Sequence, residues 1–264
     1  MITIFSTSTF FGQQKMYVSL NGSYNFNGMS NDYGANNYTD ISSVTSTEEK
    51  VNVSLGKGIN IGAAFGYKFH KNIGAELGIS YLLGSKTSWE KKYFGGDYYN
   101  ENVSSKMLQV KPTLVLSTSF EKINPYAKLG AIIGSGSITE NIDRSDIGAG
   151  DVYNDKYVKD GGLAFGYAAS LGTTYKINTK FSLFAEINLN SLAYKPTKGT
   201  KTVSTKNGVD NLSSLLISDK EFEYVDTYQY GSTIPYNPDA PRKELTTTFE
   251  YSSIGLTIGL LYHF

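Results

Sequence analysis

The sequence predicts an all-β fold: an eight-stranded, antiparallel, up-and-down transmembrane β-barrel. The first observation is that large apolar residues recur at every second position through roughly eight segments, which is the period of a strand with one apolar face. Each segment has roughly ten to fourteen residues, the length that a tilted strand needs to cross a bilayer. The second observation is that tight turns and long loops alternate between the segments. Short turns at one rim and long loops at the other are the layout of a barrel that spans a membrane.

The predicted strands follow one another from near the start of the chain to its end. The second of them shows the pattern plainly, because Ile61 and Phe65 alternate with the small residues Gly62, Ala64 and Gly66. Tyr (21) and Phe (14), which favour strands, far outnumber Pro (6). The predicted segments are about 15–26, 58–70, 73–83, 105–118, 125–134, 163–175, 181–192 and 245–264.

The connections between these segments fall into two classes. Tight turns rich in Asn and Lys lie at 70–72, 120–124 and 177–180. Long loops are predicted at about 27–57, 84–104, 135–161 and 193–244. In a membrane barrel the short turns are periplasmic and the long loops extracellular, so both chain termini are expected on the periplasmic side. Loops of more than about fifteen residues are usually functional or disordered, and the sequence leaves both alternatives open here.

Composition excludes several classes of function. Lys plus Arg (24) equals Asp plus Glu (24), which argues against a nucleic-acid partner because such a partner needs a basic surface. The chain has no Cys, which excludes disulfides, Cys-ligated zinc and a thiol nucleophile. It contains no apolar run long enough for a transmembrane helix. Residues 1–14 are interpreted as a signal-peptide remnant or an N-terminal extension, ahead of one outer-membrane barrel domain at 15–264.

The last strand carries the most specific signal. Its apolar face is Leu256, Ile258, Leu260, Tyr262 and Phe264, and the sequence stops on the aromatic ring. This segment resembles the C-terminal targeting strand of bacterial outer-membrane β-barrels, and the resemblance implies recognition by the barrel-assembly machinery. The whole pattern resembles small OmpA/OmpX-type barrels, and the Gly- and Tyr-rich strands resemble the "outer membrane beta-barrel protein" family of Bacteroidetes-type bacteria. The resemblance implies a Gram-negative outer membrane and contact with its lipid.

The residues between the apolar positions are expected to face the lumen. Charged ones lie at similar distances from the tight turns: Glu76, Lys111, Lys128 and Glu186. An eight-stranded barrel is just wide enough to be filled by side chains, and a buried charge costs several kcal/mol unless it is paired. We therefore predict a structural ion-pair network that plugs the lumen, with a gate or proton path as the functional alternative. Gly255, Thr257 and Gly259 face the lumen as well and are expected to leave space beside the network.

No catalytic, cofactor-binding or metal-binding residue is predicted. The histidines, His70 and His263, fall at the turn rim beside a predicted girdle of aromatic residues, so neither serves a lipid-modifying site at the outer face. The preferred function is a non-enzymatic barrel whose long loops bind a host molecule or another protein of the cell envelope. One alternative is a narrow channel or carrier for small or apolar solutes, of the OmpW type. The other is a lipid-modifying enzyme.

Overall fold

The computed structural model describes residues 15–28, 31–40, 45–93, 95–229, 231 and 237–264, with 31–40 as backbone apart from Asn36. Residues 1–14, the predicted signal remnant or extension, lie outside the described residues. Short helical turns occur at Leu212–Ser214 and Ile217–Lys220. Across the described ranges, no helix is long and apolar enough to cross a membrane. The prediction of an all-β chain is confirmed.

Eight strands close into a ring. The order around it is β1, β4, β5, β7, β8, β10, β11, β17 and back to β1, and every neighbouring pair is antiparallel. Each ring strand thus lies beside the ring strands that precede and follow it along the chain. In chain order the strands are β1 (Met16–Asn27), β2 (Asn31–Asp40), β3 (Thr45–Val53), β4 (Gly58–His70), β5 (Ile73–Gly84), β6 (Thr87–Lys92), β7 (Tyr98–Ser117), β8 (Ile123–Asp146), β9 (Asp151–Asp160), β10 (Ala164–Lys176), β11 (Phe181–Tyr194), β12 (Lys198–Lys206), β13 (Val209–Asp210), β14 (Glu221–Val225), β15 (Arg242–Leu245), β16 (Phe249–Glu250) and β17 (Ser253–His263).

Along the ring strands, large apolar side chains point outward and small or polar ones point inward. On β1 and β17, Leu20 and Ile258 are 68% and 71% exposed, whereas the adjacent Ser19 and Thr257 are buried. Soluble proteins rarely leave contiguous apolar patches of more than roughly a few hundred Å² in water, so this outer surface needs an apolar surrounding. The outward and inward sets are those that the alternation in the sequence predicted.

Two ring strands run well past the length that a membrane requires. β7 has 20 residues and β8 has 24, whereas about 9–11 residues suffice for a tilted transmembrane strand. The predicted bounds of 105–118 and 125–134 are therefore wrong at the ends away from the tight turns. The physical reason is that the pattern of apolar and polar residues is inverted in the extensions of β7 and β8. In these extensions the apolar residues Val103 and Ile138 face inward and are buried, while polar residues such as Ser104 face outward.

The predicted long loops carry most of the remaining strands. β6 pairs with β7, β9 pairs with β8, and β12 pairs with both β9 and β14, so the sheet continues beyond the ring on one side. The last predicted segment, 245–264, is also divided, because β15 and β16 are separate from β17. The part of the sheet beyond the ring is called the loop-side platform here; it comprises residues 87–92, 98–103, 138–146, 151–160, 198–206, 221–225 and 242–245.

Candidate functional site

A charged cluster occupies the middle of the lumen. Lys128 on β8 places its Nζ 2.9 Å from Glu76 Oε1 on β5 and 3.3 Å from Glu186 Oε2 on β11. The hydroxyl of Tyr17 donates to Glu76 at 3.0 Å, and that of Tyr126 donates to Glu186 at 2.8 Å. Each carboxylate therefore has one cationic and one phenolic partner. These partners stabilise the two buried carboxylates, because a charge inside a closed lumen must be paired and hydrogen-bonded.

Lys111 was predicted to belong to this network, but in the structure it makes none of these contacts. It faces inward from β7, opposite Gly78, and forms no ion pair with the described residues. Its charge is attracted by Glu186 and repelled by Lys128. The structure thus joins Glu76, Lys128 and Glu186 directly and leaves Lys111 outside these contacts.

Inward aromatic rings fill the lumen around this cluster, and each covers a glycine of the neighbouring strand. A Cβ atom placed on Gly66 would overlap the Tyr17 ring, and one on Gly259 would overlap the Phe184 ring. Tyr126 lies in the same way over Gly172 of β10. The expectation that Gly259 leaves space in the lumen is therefore wrong, because the glycine makes room for an aromatic side chain that occupies that space.

Toward the loop end, polar and then apolar layers close the lumen. Asn188 donates to Thr257 Oγ1 at 2.7 Å, and Asn190 donates to Asn188 Oδ1 at 3.0 Å and to Ser253 at 3.2 Å. Beyond this layer lies an apolar core that ring strands and loop segments build together. It includes Val53, Leu55, Leu82, Trp89, Val103, Met107, Ile132, Ile138, Ala164, Ala168, Leu192, Tyr194, Phe249 and Tyr251.

Toward the tight turns, by contrast, the lumen opens into a cavity of about 870 Å³. We call it the turn-end vestibule. Glu76, Lys128 and Phe184 form its floor, and its walls include Lys68 and His263. The charged cluster thus separates a wide vestibule on one side from a packed core on the other.

Comparison with known proteins identifies the family of this barrel. The model of the family described as outer membrane protein beta-barrel domain matches residues 1–213. The chain belongs to this family. The family match assigns the protein to the bacterial outer membrane. The narrower resemblance to the Bacteroidetes-type group stays a prediction.

Two solved structures resemble this outer-membrane barrel over nearly its whole length. One is Neisserial surface protein A (NspA), with 12% sequence identity, a TM-score of 0.40, and coverage of 94% of this chain and 97% of that chain. The other is CarO2 of Acinetobacter baumannii, with 12% identity, a TM-score of 0.33, and coverage of 96% and 100%. No curated protein matches the sequence.

The C-terminal strand of this outer-membrane barrel closes the ring. Leu256, Ile258 and Leu260 point outward between β1 and β11. The ring of Tyr262 contacts that of Phe264 at 5.1 Å, and the backbone N–H of Phe264 donates to the carbonyl of Met16 at 3.1 Å. The terminal residue is thus tied to the first strand of the barrel.

Both histidines lie at the turn end of the barrel, as the sequence indicated. His70 is exposed at the end of β4, and His263 Nε2 lies 3.1 Å from Ser182 Oγ. In the part of the chain that the structure describes, no group of three or more His, Cys, Asp or Glu side chains is placed to hold a metal ion. The loop end of the described barrel therefore holds neither histidine.

The loop-side platform has an ionic interior of its own. Lys159 Nζ lies 2.7 Å from Glu140 Oε1, and Lys201 Nζ lies 3.2 Å from Asp155 Oδ1, with all four side chains largely buried. Ser204 also donates to Asp155, at 2.8 Å. Ion pairs buried inside a sheet in this way fix the relative position of its strands, so the platform is an ordered surface.

One turn ties the far edge of the platform together, and the sequence analysis missed it. Asn207 and Gly208 both have positive φ (51° and 79°), which is the backbone of a two-residue hairpin turn. Asn207 Nδ2 donates to Asp151 Oδ1 at 3.0 Å, and Lys206 Nζ lies 2.7 Å from Asp151 Oδ2. The hydrogen bond from Lys206 lowers the pKa of the Asp151 carboxyl. The Asn-Gly dipeptide, a strong hairpin signal, was available inside the predicted loop at 193–244.

Proposed function

We propose that the protein is a non-enzymatic outer-membrane barrel that presents the loop-side platform outside the cell and binds a protein partner of the envelope or a host molecule through it. The observation that supports this most directly is the combination of a closed lumen with an ordered platform. A chain whose long connections fold into an ordered sheet beyond the membrane is equipped for contact there.

The orientation is part of the proposal. The outward surface changes from apolar to polar along β7 and β8 where the extensions begin, which marks one membrane boundary. The tight turns, His263 and Met16 lie at the opposite end of the ring. Short turns and termini of such barrels are periplasmic, so the platform is extracellular.

The closed lumen argues against the channel alternative. A solute that entered the turn-end vestibule would meet the ion pairs of Lys128 and then the packed side chains beyond Asn188. Moving a solute through would require breaking buried charge pairs, each of which costs several kcal/mol to disrupt. The vestibule alone does not make a path across the membrane.

Pre-organisation favours a binding role for the platform. Its strands are fixed by buried pairs such as Lys201–Asp155, so little conformational entropy is lost when a partner binds. Thr200 and Glu221 are opposite each other on β12 and β14 and are both exposed, which makes this outer face available. A partner docked there would contact a rigid sheet surface.

The proposal is tested by recovery of a partner from outer membranes. The purified wild-type barrel is expected to retain one companion in stoichiometric amount after detergent extraction. Thr200→Arg combined with Glu221→Arg should abolish that retention, because it places two long cations on the exposed face, whereas Lys122→Glu at the turn rim should not. Absence of a companion would rule out a stable partner in the envelope, and equal retention by both variants would show that the platform is not the surface that docks the companion.

Conductance and lipid analysis test the remaining alternatives. In planar bilayers the purified protein is expected to give no steady openings, since the lumen is closed. Lipid A from expressing cells is expected to be unchanged, since neither histidine lies at the loop end. Reproducible conductance would support a channel, and altered lipid A would support an enzyme.

A further inference from the structure

The turn-end vestibule has a charge distribution that neither the ring nor the platform requires. Its volume of about 870 Å³ falls within the range of pockets that bind small molecules, which is about 300–1,000 Å³. The charged cluster forms its floor, and Phe184 and Tyr126 supply apolar surface beside that floor. A structural plug needs the floor, but it does not need a wide open cavity beneath it.

Inward-facing side chains at the mouth form a continuous arc across neighbouring strands. Tyr17 of β1 lies opposite His263 of β17, with ring centroids 6.0 Å apart. His263 contacts Ser182 of β11, which is paired in turn with Lys176 of β10. On the other side of Tyr17, Lys68 of β4 completes the arc. Because β4 and β10 are on opposite sides of the eight-strand ring, the arc places the ammonium groups of Lys68 and Lys176 on opposite sides of the vestibule mouth, with the Ser182 hydroxyl on the strand next to Lys176.

The two lysines of this arc have no carboxylate partner. Neither Lys68 nor Lys176 forms an ion pair with any residue of the described chain. Both line the mouth of the vestibule and act electrostatically on His263, which lies between them along the arc. Like charges gathered in a partly enclosed mouth repel each other, and this repulsion is relieved when an anion lies between them.

The acidic residues of the vestibule do not neutralise the arc. Glu76 is already engaged by Lys128 and by the hydroxyl of Tyr17. Glu121 is exposed on the turn between β7 and β8 and is paired with neither arc lysine. Lys68 and Lys176 thus present uncompensated positive charge to the cavity from opposite sides of its mouth.

We propose that the turn-end vestibule binds a phosphate group, carried by a small soluble ester or by a phospholipid headgroup, with Lys68, Lys176 and the Ser182 hydroxyl as its ligands. A phosphate monoester carries about two negative charges near pH 7 and three strong acceptor oxygens, and the phosphodiester of a lipid headgroup carries about one negative charge. Either group can lie between the two ammonium groups and beside the Ser182 hydroxyl, and Phe184 and Tyr126 offer surface to the organic part. The site is independent of the loop-side platform, so either proposal can fail without the other.

Calorimetric titration of the detergent-solubilised full chain with glycerol 3-phosphate tests the site. Binding is expected for the wild type, and Lys68→Met with Lys176→Met should weaken it by about ten-fold per lysine. Lys122→Met with Lys180→Met is the matched control, because both residues are exposed at the same rim and neither lines the vestibule. Unchanged melting temperatures will show that all variants are folded, since the arc lysines support no ion pair.

Three results would overturn the site. These are no binding of glycerol 3-phosphate or lipid, equal loss in the control variant, and equally tight binding of acetate. The source of the phosphate is separated in phosphatidylcholine nanodiscs with and without phosphatidylglycerol. A rise in melting temperature with phosphatidylglycerol that needs Lys68 and Lys176 identifies the headgroup. Binding of glycerol 3-phosphate in both kinds of nanodisc, with no such rise, identifies a soluble ester.

Discussion

Lys128 holds the middle of the lumen together. Its ammonium group lies between two carboxylates and also within 5.2 Å and 5.5 Å of the ring centres of Tyr126 and Phe184. Cation–π contacts and ion pairs act on the same charge, so removing it would leave Glu76 and Glu186 facing each other without compensation. Lys111, by contrast, is repelled by Lys128 and has no ion pair in the described chain.

These two lysines give opposite expectations when each is changed to Met. Lys128→Met should lower the free energy of unfolding by roughly 3–5 kcal/mol, because it leaves two buried carboxylates unpaired. Adding Glu186→Gln to it should restore part of the loss, so that the two changes are non-additive. Lys111→Met should be neutral or stabilising. Urea unfolding in detergent micelles measures the wild type, the three single variants (Glu186→Gln included) and the double variant, and additive effects close to zero would contradict the network.

Asp151 offers a prediction on protonation at the platform edge. The hydrogen bond from Lys206 lowers its pKa, followed by those from Asn207 and Tyr153. A carboxyl with a lowered pKa stabilises the folded state above its ordinary pKa and loses that effect as the pH falls through the lowered value. In an NMR titration, Lys206→Met should move the pKa of Asp151 back up toward its ordinary value, because the largest cause of its lowering is removed. An unchanged pKa would mean that Lys206 does not hold this carboxylate in solution.

At the scale of elements, the sequence predicts the ring strands well and the platform poorly. Lipid outside and a narrow lumen inside impose one period-two pattern on all ring strands, which a single sequence displays. Where β7 leaves the membrane, water replaces lipid and the pattern inverts, so Met107 and Val103 turn inward and the apparent strand ends early. The ion pair predicted for Lys111 is wrong for another reason. The position of Lys111 along the barrel axis depends on the register between neighbouring strands, which places this residue opposite Gly78 and not beside Glu76.

Glycines under aromatic rings are an element-scale device that can be tested directly. Gly66→Ala should displace the ring of Tyr17 and weaken its hydrogen bond to Glu76, because the added Cβ overlaps that ring. We expect a loss of roughly 1–3 kcal/mol, the usual cost of overpacking. Gly22→Ala is the control, since nothing lies within 4 Å of its Cβ position. Equal stability of the two variants by thermal unfolding would contradict the role assigned to Gly66.

At the scale of the whole molecule, closure of the ring depends on the two ends of the chain. β17 lies between β1 and β11, so the barrel is complete only when the last strand has paired on both edges. Phe264 adds a backbone hydrogen bond to Met16 and a ring contact to Tyr262. These contacts place the terminal aromatic ring at the turn-end rim of the closed barrel.

Deletion of Phe264 tests whether this residue also directs assembly. Its loss should reduce the amount of barrel recovered from the outer membrane, because both the closing hydrogen bond and the terminal aromatic signal are removed. Phe181→Ala is the matched control: Phe181 is a rim aromatic in contact with Tyr262, with ring centroids 5.2 Å apart, but it lies inside the chain. If both variants reach the outer membrane equally, Phe264 acts only as an interfacial anchor. A deficit confined to the deletion supports recognition of the C-terminal strand during assembly.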